Sequence, residues 1–323
     1  MVATKKLALF ALSLLGSLGG AEALCRHSEG TVIFPWDQPG RGFATQPHTR
    51  GSNAWGFHER EIPPEEDPTV WRIAVLGDSL TWGTGTAEQT WTRAMEERLN
   101  TAHGQRSQVL NFGHYGYDAE ACAATLRHQA SAWRPDLVIY ASYTNDVLRN
   151  TIIELGRARY PVWIGSSGAL LPAPLRRASA LARAVEGALL APRVTETPDL
   201  EHYQAQVRSM ATQARALGAD FEVFGLVPHA LTPEGCQADE AFCAKHRAWF
   251  EAQRQAVAAL GLPFVSGEHA LSDRDAAGGF VRTGAFYTAD LQDHDHPNPD
   301  GQRRMGEYFA DQLMASRDAA SGR

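Results

Sequence analysis

Short apolar runs alternate with longer mixed stretches along the chain from Trp71 onward. The runs are rich in Val, Ile, Leu and Phe and have the length of strands, whereas the stretches between them have the apolar spacing of helices. This alternation predicts a parallel sheet covered by helices on both faces. The predicted strands are Arg72–Leu76, Gln108–Phe112, Leu137–Ala141, Phe221–Leu226 and Pro263–Val265, and the predicted helices are about Glu88–Leu99, Ala119–Ala132, Leu200–Leu217, Asp239–Leu260 and Asp300–Met314.

The N-terminus departs from this alternation. Lys5 and Lys6 precede an apolar run from Leu7 to Leu18, and Ala21-Glu22-Ala23 follows, which is the pattern of a secretory signal peptide cleaved after Ala23. The run is too short to span a membrane comfortably, and no later segment offers about eighteen uninterrupted apolar residues. We therefore expect an exported protein, periplasmic or secreted, with no stable membrane insertion.

The pattern divides the rest of the chain into an extended arm over residues 24–70, one α/β domain over 71–316 and a flexible tail over 317–323. In the arm, Trp55 and Phe57 are predicted to pack on the core, although a substrate contact stays open. The alternation fails between about residues 150 and 197. This insertion follows a predicted strand end, so it is either a lid or acceptor-binding wall, or a helical cover for a sheet face.

The first predicted strand ends in Gly77-Asp78-Ser79-Leu80. Open parallel sheets bind ligands beyond the carboxyl ends of their strands, where the next helix points its N–H groups. Ser79 is therefore a candidate nucleophile, although a solvated, capped turn has the same composition. A serine hydroxyl needs a nearby imidazole, oriented by a carboxylate, to remove its proton. His296 and Asp293 lie three residues apart far downstream and suit those two roles.

Two further strand ends supply polar groups at the same predicted edge. One run ends at Gly113, and another is followed by Asn145. A backbone N–H and a side-chain amide there could stabilise the negative oxygen that forms when a serine attacks an ester.

These four positions, Ser79, Gly113, Asn145 and His296, resemble in order and rough spacing the GDSL, or SGNH, hydrolase family. The resemblance implies a three-layer, flavodoxin-like α/β fold with a central five-stranded parallel sheet. It also implies Ser79 as nucleophile, His296 as general base and Asp293 as the residue that orients it. The backbone N–H groups of Ser79 and Gly113, with the side chain of Asn145, would form the oxyanion hole.

The chain departs from the family pattern at Tyr143, because the family usually has glycine two residues before the asparagine of this block. Tyr143, Trp82 and Tyr115 all lie within a few residues of a predicted site position. We expect their rings to line the cleft, where they would crowd the acyl group or stack on a sugar. This arrangement predicts a preference for short acyl groups, unless all three side chains point into the core.

The charge balance and the motifs argue against other classes of function. The chain has 30 basic and 37 acidic residues, an acidic balance that argues against nucleic acid as a partner. No dinucleotide or phosphate-loop motif is present, so no cofactor is expected. A metal-dependent enzyme is the strongest alternative. A second cluster of metal ligands is missing, however, so we predict no metal. The potential ligands all fall in one loop, at Asp290, Asp293, His294, Asp295 and His296.

Export makes the four cysteines informative, because oxidising compartments favour disulfides. Cys236 and Cys243 bracket a polar loop and are the predicted pair. Cys25 with Cys122 is the remaining combination, and a buried thiol at Cys122 is the alternative. A lipid anchor on Cys25 is disfavoured, since Leu24 and Glu22 stand where a small and an aliphatic residue are required.

The sequence thus predicts an exported serine ester hydrolase or acyltransferase that acts on O-acyl groups of a carbohydrate or envelope polymer. Hydrolysis of lipid esters is the alternative. A non-catalytic carbohydrate-binding module would have lost a catalytic residue, and none is lost. The acyl acceptor and the oligomeric state are left open by the sequence.

Overall fold

The structure, a computed structural model, describes residues 2–35, 37–38, 40–64, 67–148, 152–155, 158–161, 170–190, 197–227, 240–274, 280–282, 286 and 296–322. The strands are β1 (Val32–Ile33), β2 (Ala44–Thr45), β3 (Trp71–Gly77), β4 (Ser107–Gly113), β5 (Leu137–Ser142), β6 (Ile152–Leu155), β7 (Ala158–Pro161), β8 (Asp220–Gly225), β9 (Phe264–Ser266), β10 (Ser272–Arg274) and β11 (Phe280–Arg282). The α-helices are α1 (Val2–Glu29), α2 (Ser79–Trp82), α3 (Trp91–Ala102), α4 (Ala119–His128), α5 (Ala173–Ala178), α6 (Ala180–Leu190), α7 (Leu200–Ala216), α8 (Glu240–Ala258) and α9 (Pro299–Ser321). Short 3₁₀ turns occupy Ala87–Gln89, Ala130–Trp133 and Thr144–Val147.

The chain forms two compact units, one from Met1–Ala44 with Asn150–Thr195 and the other from Thr45–Arg149 with Glu196–Arg323. The larger unit contains a five-stranded parallel sheet in the order β4-β3-β5-β8-β9. The predicted α/β fold with a central five-stranded parallel sheet is therefore confirmed. Each predicted strand and helix of this unit is present, with ends shifted by a few residues.

The sheet lies between two layers of helices. Ile73 and Val75 of β3 belong to the same buried cluster as apolar residues of α3 and α9. Ala74 and Leu76 are also fully buried, and successive residues of a strand point to opposite faces. On that opposite face α4 contacts β3 and α7 contacts β8. Burial on both faces explains why these strands read as continuous apolar runs.

The edge strand β4 has its outer N–H groups paired with carboxylates. The carboxylate of Glu59 accepts from the N–H of Asn111 at 2.8 Å, and that of Glu96 accepts from Val109 at 2.9 Å. Unpaired edge groups otherwise invite another strand. Burial raises the pKa of Glu59, although its hydrogen bonds and Arg60 act in the opposite direction. Glu59 of the arm and Glu96 of α3 therefore close this edge of the sheet.

The aromatic residues of the arm pack on the core, as the packing interpretation predicted. The ring of Phe57 meets that of Phe112 edge to face at 5.1 Å. Trp55 contacts Trp133 in the same way at 5.0 Å.

The last helix corrects one predicted boundary. α9 continues to Ser321 and ends at Gly322, whose φ of 71° gives the left-handed cap that glycine favours. Residues 317–321 are therefore helical rather than part of a flexible tail.

The smaller unit combines α1 with the insertion. β6 and β7 pair as an antiparallel hairpin, which the sequence pattern did not indicate. The carboxylate of Glu22 accepts from the N–H groups of Ala180 and Leu181 at the start of α6. Burial opposes ionisation of Glu22, but these bonds outweigh it and lower its pKa to about 2. Glu29 binds Arg183 through two contacts of 2.7 Å.

The N-terminal segment is helical through the predicted cleavage site, since α1 runs from Val2 to Glu29. Within the described parts of the chain, no helix has both the length and the apolar character needed to cross a bilayer. The signal peptide, its cleavage after Ala23 and export stay predictions.

The cysteines follow the predicted division in part. Cys243 is disulfide-bonded, whereas neither Cys25 nor Cys122 forms a disulfide. The Cys25–Cys122 combination is therefore wrong, and Cys122 is a buried thiol whose pKa is raised by burial. The predicted partner of Cys243, Cys236, lies outside the described residues.

Candidate active site

Ser79 stands at the first position of α2, immediately beyond the carboxyl end of β3. Asp78 precedes it as the helix cap, and its Oδ1 accepts from the N–H of Leu80 at 2.9 Å. The first N–H groups of an α-helix have no partner within the helix, so the N–H of Ser79 is available to a ligand. The turn ends at Gly83, with φ of 86°, whose N–H donates to the carbonyl of Ser79 at 3.0 Å.

Two paired glycines allow α2 to lie directly on the sheet. Gly77 and Gly113 are register partners on β3 and β4. A Cβ on Gly77 would lie 2.2 Å from Oγ1 of Thr81, and a Cβ on Gly113 would lie 2.7 Å from the backbone nitrogen of Trp82. Glycine is needed at both positions for this close approach rather than for a special φ.

His296 meets Ser79 across 217 residues of sequence, and its Nε2 lies 2.7 Å from Oγ of the serine. The histidine precedes α9, where Asn298 caps the helix by accepting from Gly301 at 2.9 Å. Oγ1 of Thr84 donates to the carbonyl of Pro297 at 2.6 Å. The loop that carries the imidazole is therefore tied to the segment that follows the serine.

The carboxylate predicted to orient His296 lies outside the described residues, as Asp293 does. The same holds for Asp290, His294 and Asp295, the other potential metal ligands. In the part of the chain that the structure describes, no three His, Cys, Asp or Glu residues form a group that could hold a metal ion. Catalysis without a metal stays a prediction.

The two candidate oxyanion donors besides Ser79 differ in their surroundings. The N–H of Gly113 donates to Oδ1 of Asn111 at 2.9 Å, and Nδ2 of that residue donates to the carbonyl of Thr81 at 2.7 Å. Asn145 is half-buried in the 3₁₀ turn after β5, and its Oδ1 has no hydrogen-bond partner among the described residues. The N–H of Gly113 is therefore already engaged, and sequence reasoning missed this bond to Asn111.

The arrangement of these groups agrees with a sequence comparison. The profile of the GDSL-like lipase/acylhydrolase family matches residues 75–304, which is most of the chain. The protein belongs to this family. It is an enzyme that hydrolyses ester bonds.

Solved structures with a similar course of the chain include a lipase, an acetyl xylan esterase and TesA. A GDSL-like lipase from Bacteroides thetaiotaomicron is 16% identical, with a TM-score of 0.42, and the match covers 76% of this chain and 89% of that one. The acetyl xylan esterase AlAXEase is 10% identical with a TM-score of 0.44, over 76% and 98% of the two chains. TesA is 18% identical with a TM-score of 0.43, over 74% and 96%. No curated protein sequence matches this chain.

Trp82 and Tyr115 of this GDSL-like hydrolase are half-exposed beside the serine turn. Trp82 stacks on His58 at 5.2 Å and meets Tyr115 edge to face at 5.5 Å. Its carbonyl contacts Nδ1 of His58 at 2.8 Å. His58 therefore supports Trp82 from the N-terminal arm, a role that the sequence pattern did not indicate. Burial lowers the pKa of His58, while its bond to Trp82 acts in the opposite direction.

The structure corrects the placement of Tyr143. Its side chain is 3% exposed and packs in the core cluster with Val75, Leu80 and Ile139. It does not stand on the rim of a cleft. A Tyr143→Gly change would therefore open a cavity in the core rather than lengthen an acyl pocket.

Two buried carboxyl groups, those of Asp146 and Asp118, lie near the site. Burial raises the pKa of Asp146 well above its usual range, and the negative charge of Asp78 reinforces this effect. Oδ2 of Asp146 accepts from the hydroxyl of Tyr140 at 2.7 Å and from the N–H of Tyr143 at 2.9 Å. Asp118, the cap of α4, has its pKa raised to about 6, chiefly by burial.

Replacing Asp118 with asparagine should flatten the dependence of stability on pH. A carboxyl whose pKa is raised on folding stabilises the folded state fully below its unfolded pKa, and this contribution is lost as the pH rises through about 6. Between pH 4 and pH 7 the wild type should lose about 2 kcal/mol of unfolding free energy relative to Asp118→Asn. Asparagine caps helices as well as aspartate does. Denaturant unfolding at both pH values checks this, and parallel pH profiles for the two proteins would contradict it.

Proposed function

We propose that this enzyme removes short O-acyl groups, acetyl above all, from a carbohydrate or envelope polymer, or transfers them, through an acyl-serine intermediate on Ser79. The contact of 2.7 Å between Nε2 of His296 and Oγ of Ser79 carries the proposal. Two residues so far apart in sequence meet at the carboxyl edge of a parallel sheet, where such folds bind their ligands.

In the proposed mechanism, Oγ of Ser79 attacks the ester carbonyl while Nε2 of His296 takes its proton. The tetrahedral intermediate collapses, and the imidazolium returns the proton to the departing alcohol. Water, or a second hydroxyl in a transfer reaction, then attacks the acyl-serine with the same base assistance. Asp293 would hold the proton of Nδ1 and so present Nε2 as the acceptor in each half-reaction.

The oxyanion would be bound by the N–H of Ser79 and the amide of Asn145. Gly113 is a weaker candidate for this role than the family resemblance implies, because its N–H already donates to Asn111. It would have to exchange or share that bond to take part. This difference makes Asn145 the principal side-chain donor in the proposal.

The aromatic surface next to Ser79 supports a sugar ester as the substrate. Trp82 and Tyr115 are both half-exposed, and each is supported by buried polar residues. The hydroxyl of Tyr115 accepts from Oγ1 of Thr45 at 3.3 Å, and the guanidinium of Arg50 lies 5.7 Å from the centre of its ring. Fixed aromatic rings of this kind offer faces on which a sugar can stack. We expect them also to limit the length of the acyl chain beside the serine.

The proposal is tested with aryl esters of increasing acyl length and with acetylated polysaccharides. We expect kcat/KM for acetyl esters to exceed that for octanoyl esters, together with release of acetate from the polymer. A preference for octanoyl esters would assign the enzyme to lipid esters instead.

Tyr115 provides a variant for the polymer part of the test. Tyr115→Ala should raise KM for acetylated polysaccharide about fivefold, because an aromatic contact contributes about 1 kcal/mol. The turnover of a small aryl acetate should change little. Tyr115→Phe keeps the ring and loses only the contact with Thr45, so it should behave as wild type. Equal effects of the alanine and phenylalanine variants would argue against stacking.

A further inference from the structure

The 3₁₀ turn that carries Asn145 is held by two buried side chains of α8. Nδ1 of His246 lies 2.6 Å from Oγ1 of Thr144. The side-chain amide of Gln253 donates to the carbonyl of Tyr143. Both contacts are made to the residues immediately before Asn145, and all four participating residues are buried.

His246 and Gln253 act from one face of the helix. They are seven residues apart, which is close to two turns of an α-helix. The imidazole of His246 is fixed between Phe242, with ring centres 4.0 Å apart, and Trp249, with ring centres 5.0 Å apart. α8 therefore presents two immobile polar groups to the turn at a fixed spacing.

Asn145 depends on this support. Its Oδ1 has no hydrogen-bond partner in the described part of the chain, so the side chain has no anchor on that atom. Its amide must be positioned by the backbone that carries it. A displacement of about 1 Å in a group that contacts the reacting atoms can lower the rate about 100-fold.

We propose that His246 and Gln253 are positioning residues, which hold the turn Thr144–Val147 so that the amide of Asn145 meets the developing oxyanion. This inference rests on the proposed role of Asn145. Neither residue touches the reacting atoms, because both act only through the main chain of Tyr143 and the side chain of Thr144.

The packing of Gln253 allows its effect on the rate to be separated from its effect on stability. Its Oε1 is buried without a hydrogen-bond partner among the described residues, so a leucine of similar size removes an unsatisfied atom. The carbonyl of Tyr143 would still accept from the N–H of Asp146 at 2.9 Å. Gln253→Leu should therefore preserve stability while releasing the turn.

The test compares His246→Phe and Gln253→Leu with Gln255→Leu, the same change at an exposed position two residues away on α8. Each of the first two variants should lower kcat on an aryl acetate about tenfold, with KM unchanged, because part of the contribution of an oxyanion donor is lost. Gln255→Leu should retain full kcat.

The decisive measurement repeats both changes in Asn145→Ala. If the two residues act through Asn145, neither should lower kcat further in that background. An equal loss in both backgrounds, or full kcat in the single variants, would overturn the inference. If Asn145→Ala alone retained full kcat, the proposed oxyanion role would fail, which is a separate outcome.

Two further variants keep the test valid if His246→Phe does not fold. His246→Asn places an amide near the position of Nδ1 and should recover most of the lost kcat. Thr144→Val removes the other partner of the contact and should reproduce the loss. Full kcat in Thr144→Val would contradict the role of His246.

Discussion

Ser79→Ala should lower kcat for ester hydrolysis by about 10⁵- to 10⁶-fold, because it removes the proposed nucleophile and leaves only binding and oxyanion stabilisation. His296→Ala should have an effect of similar size, since the serine hydroxyl is a weak nucleophile without its base. Removing both should cost little more than removing either one. Steady-state kinetics on an aryl acetate measure all three.

The matched control is Ser142→Ala, at the end of the neighbouring strand. Oγ of Ser142 lies 2.9 Å from the hydroxyl of Tyr203 in the core, so this change should affect stability rather than kcat. An aryl phosphonate should modify Ser79 alone. Modification of any other residue, or substantial activity in Ser79→Ala, would exclude Ser79 as the nucleophile.

Asn145→Ala should lower kcat about 10²- to 10³-fold with a small change in KM, since an oxyanion donor acts mainly in the transition state. We expect the loss to lie at the upper end of this range, because the N–H of Gly113 is already bound to Asn111. Asn145→Asp keeps the shape of the side chain but puts a negative charge beside the oxyanion. It should therefore be less active than Asn145→Ala.

Asn100→Ala, an exposed asparagine on α3, serves as the control for this pair and should retain full kcat. If the aspartate and alanine variants were equally active, the amide of Asn145 would not face the developing charge. Such a result would shift the proposed role to the backbone N–H groups.

Much of the fold could be predicted from the sequence, because burial on both faces of the sheet leaves a local record. β3, β4 and β5 appear as largely apolar runs, since nearly every residue along them is buried. The edge at which Ser79, Gly113 and Asn145 gather followed from the parallel order, which places all carboxyl ends on one side.

Other features depend on residues that are distant in the sequence, and a local pattern does not show them. The identity of Tyr143 suggested a wall beside the acyl group, because its position in the sequence is close to Asn145. The structure instead buries it against Val75 and Leu80. Which face of a short irregular segment meets the core is decided by the neighbouring helix, and that helix comes from about a hundred residues later in the sequence.

The sequence by itself determined the sheet, the edge and the residue types available for ester chemistry, because burial and strand order are expressed in residues close together in the chain. Only the tertiary structure decided that His296 reaches Ser79, that Asn111 binds the carbonyl of Thr81 and that His246 contacts Thr144. These contacts require angstrom-scale distances and directions between side-chain atoms, which depend on how whole elements pack rather than on the composition of any one of them.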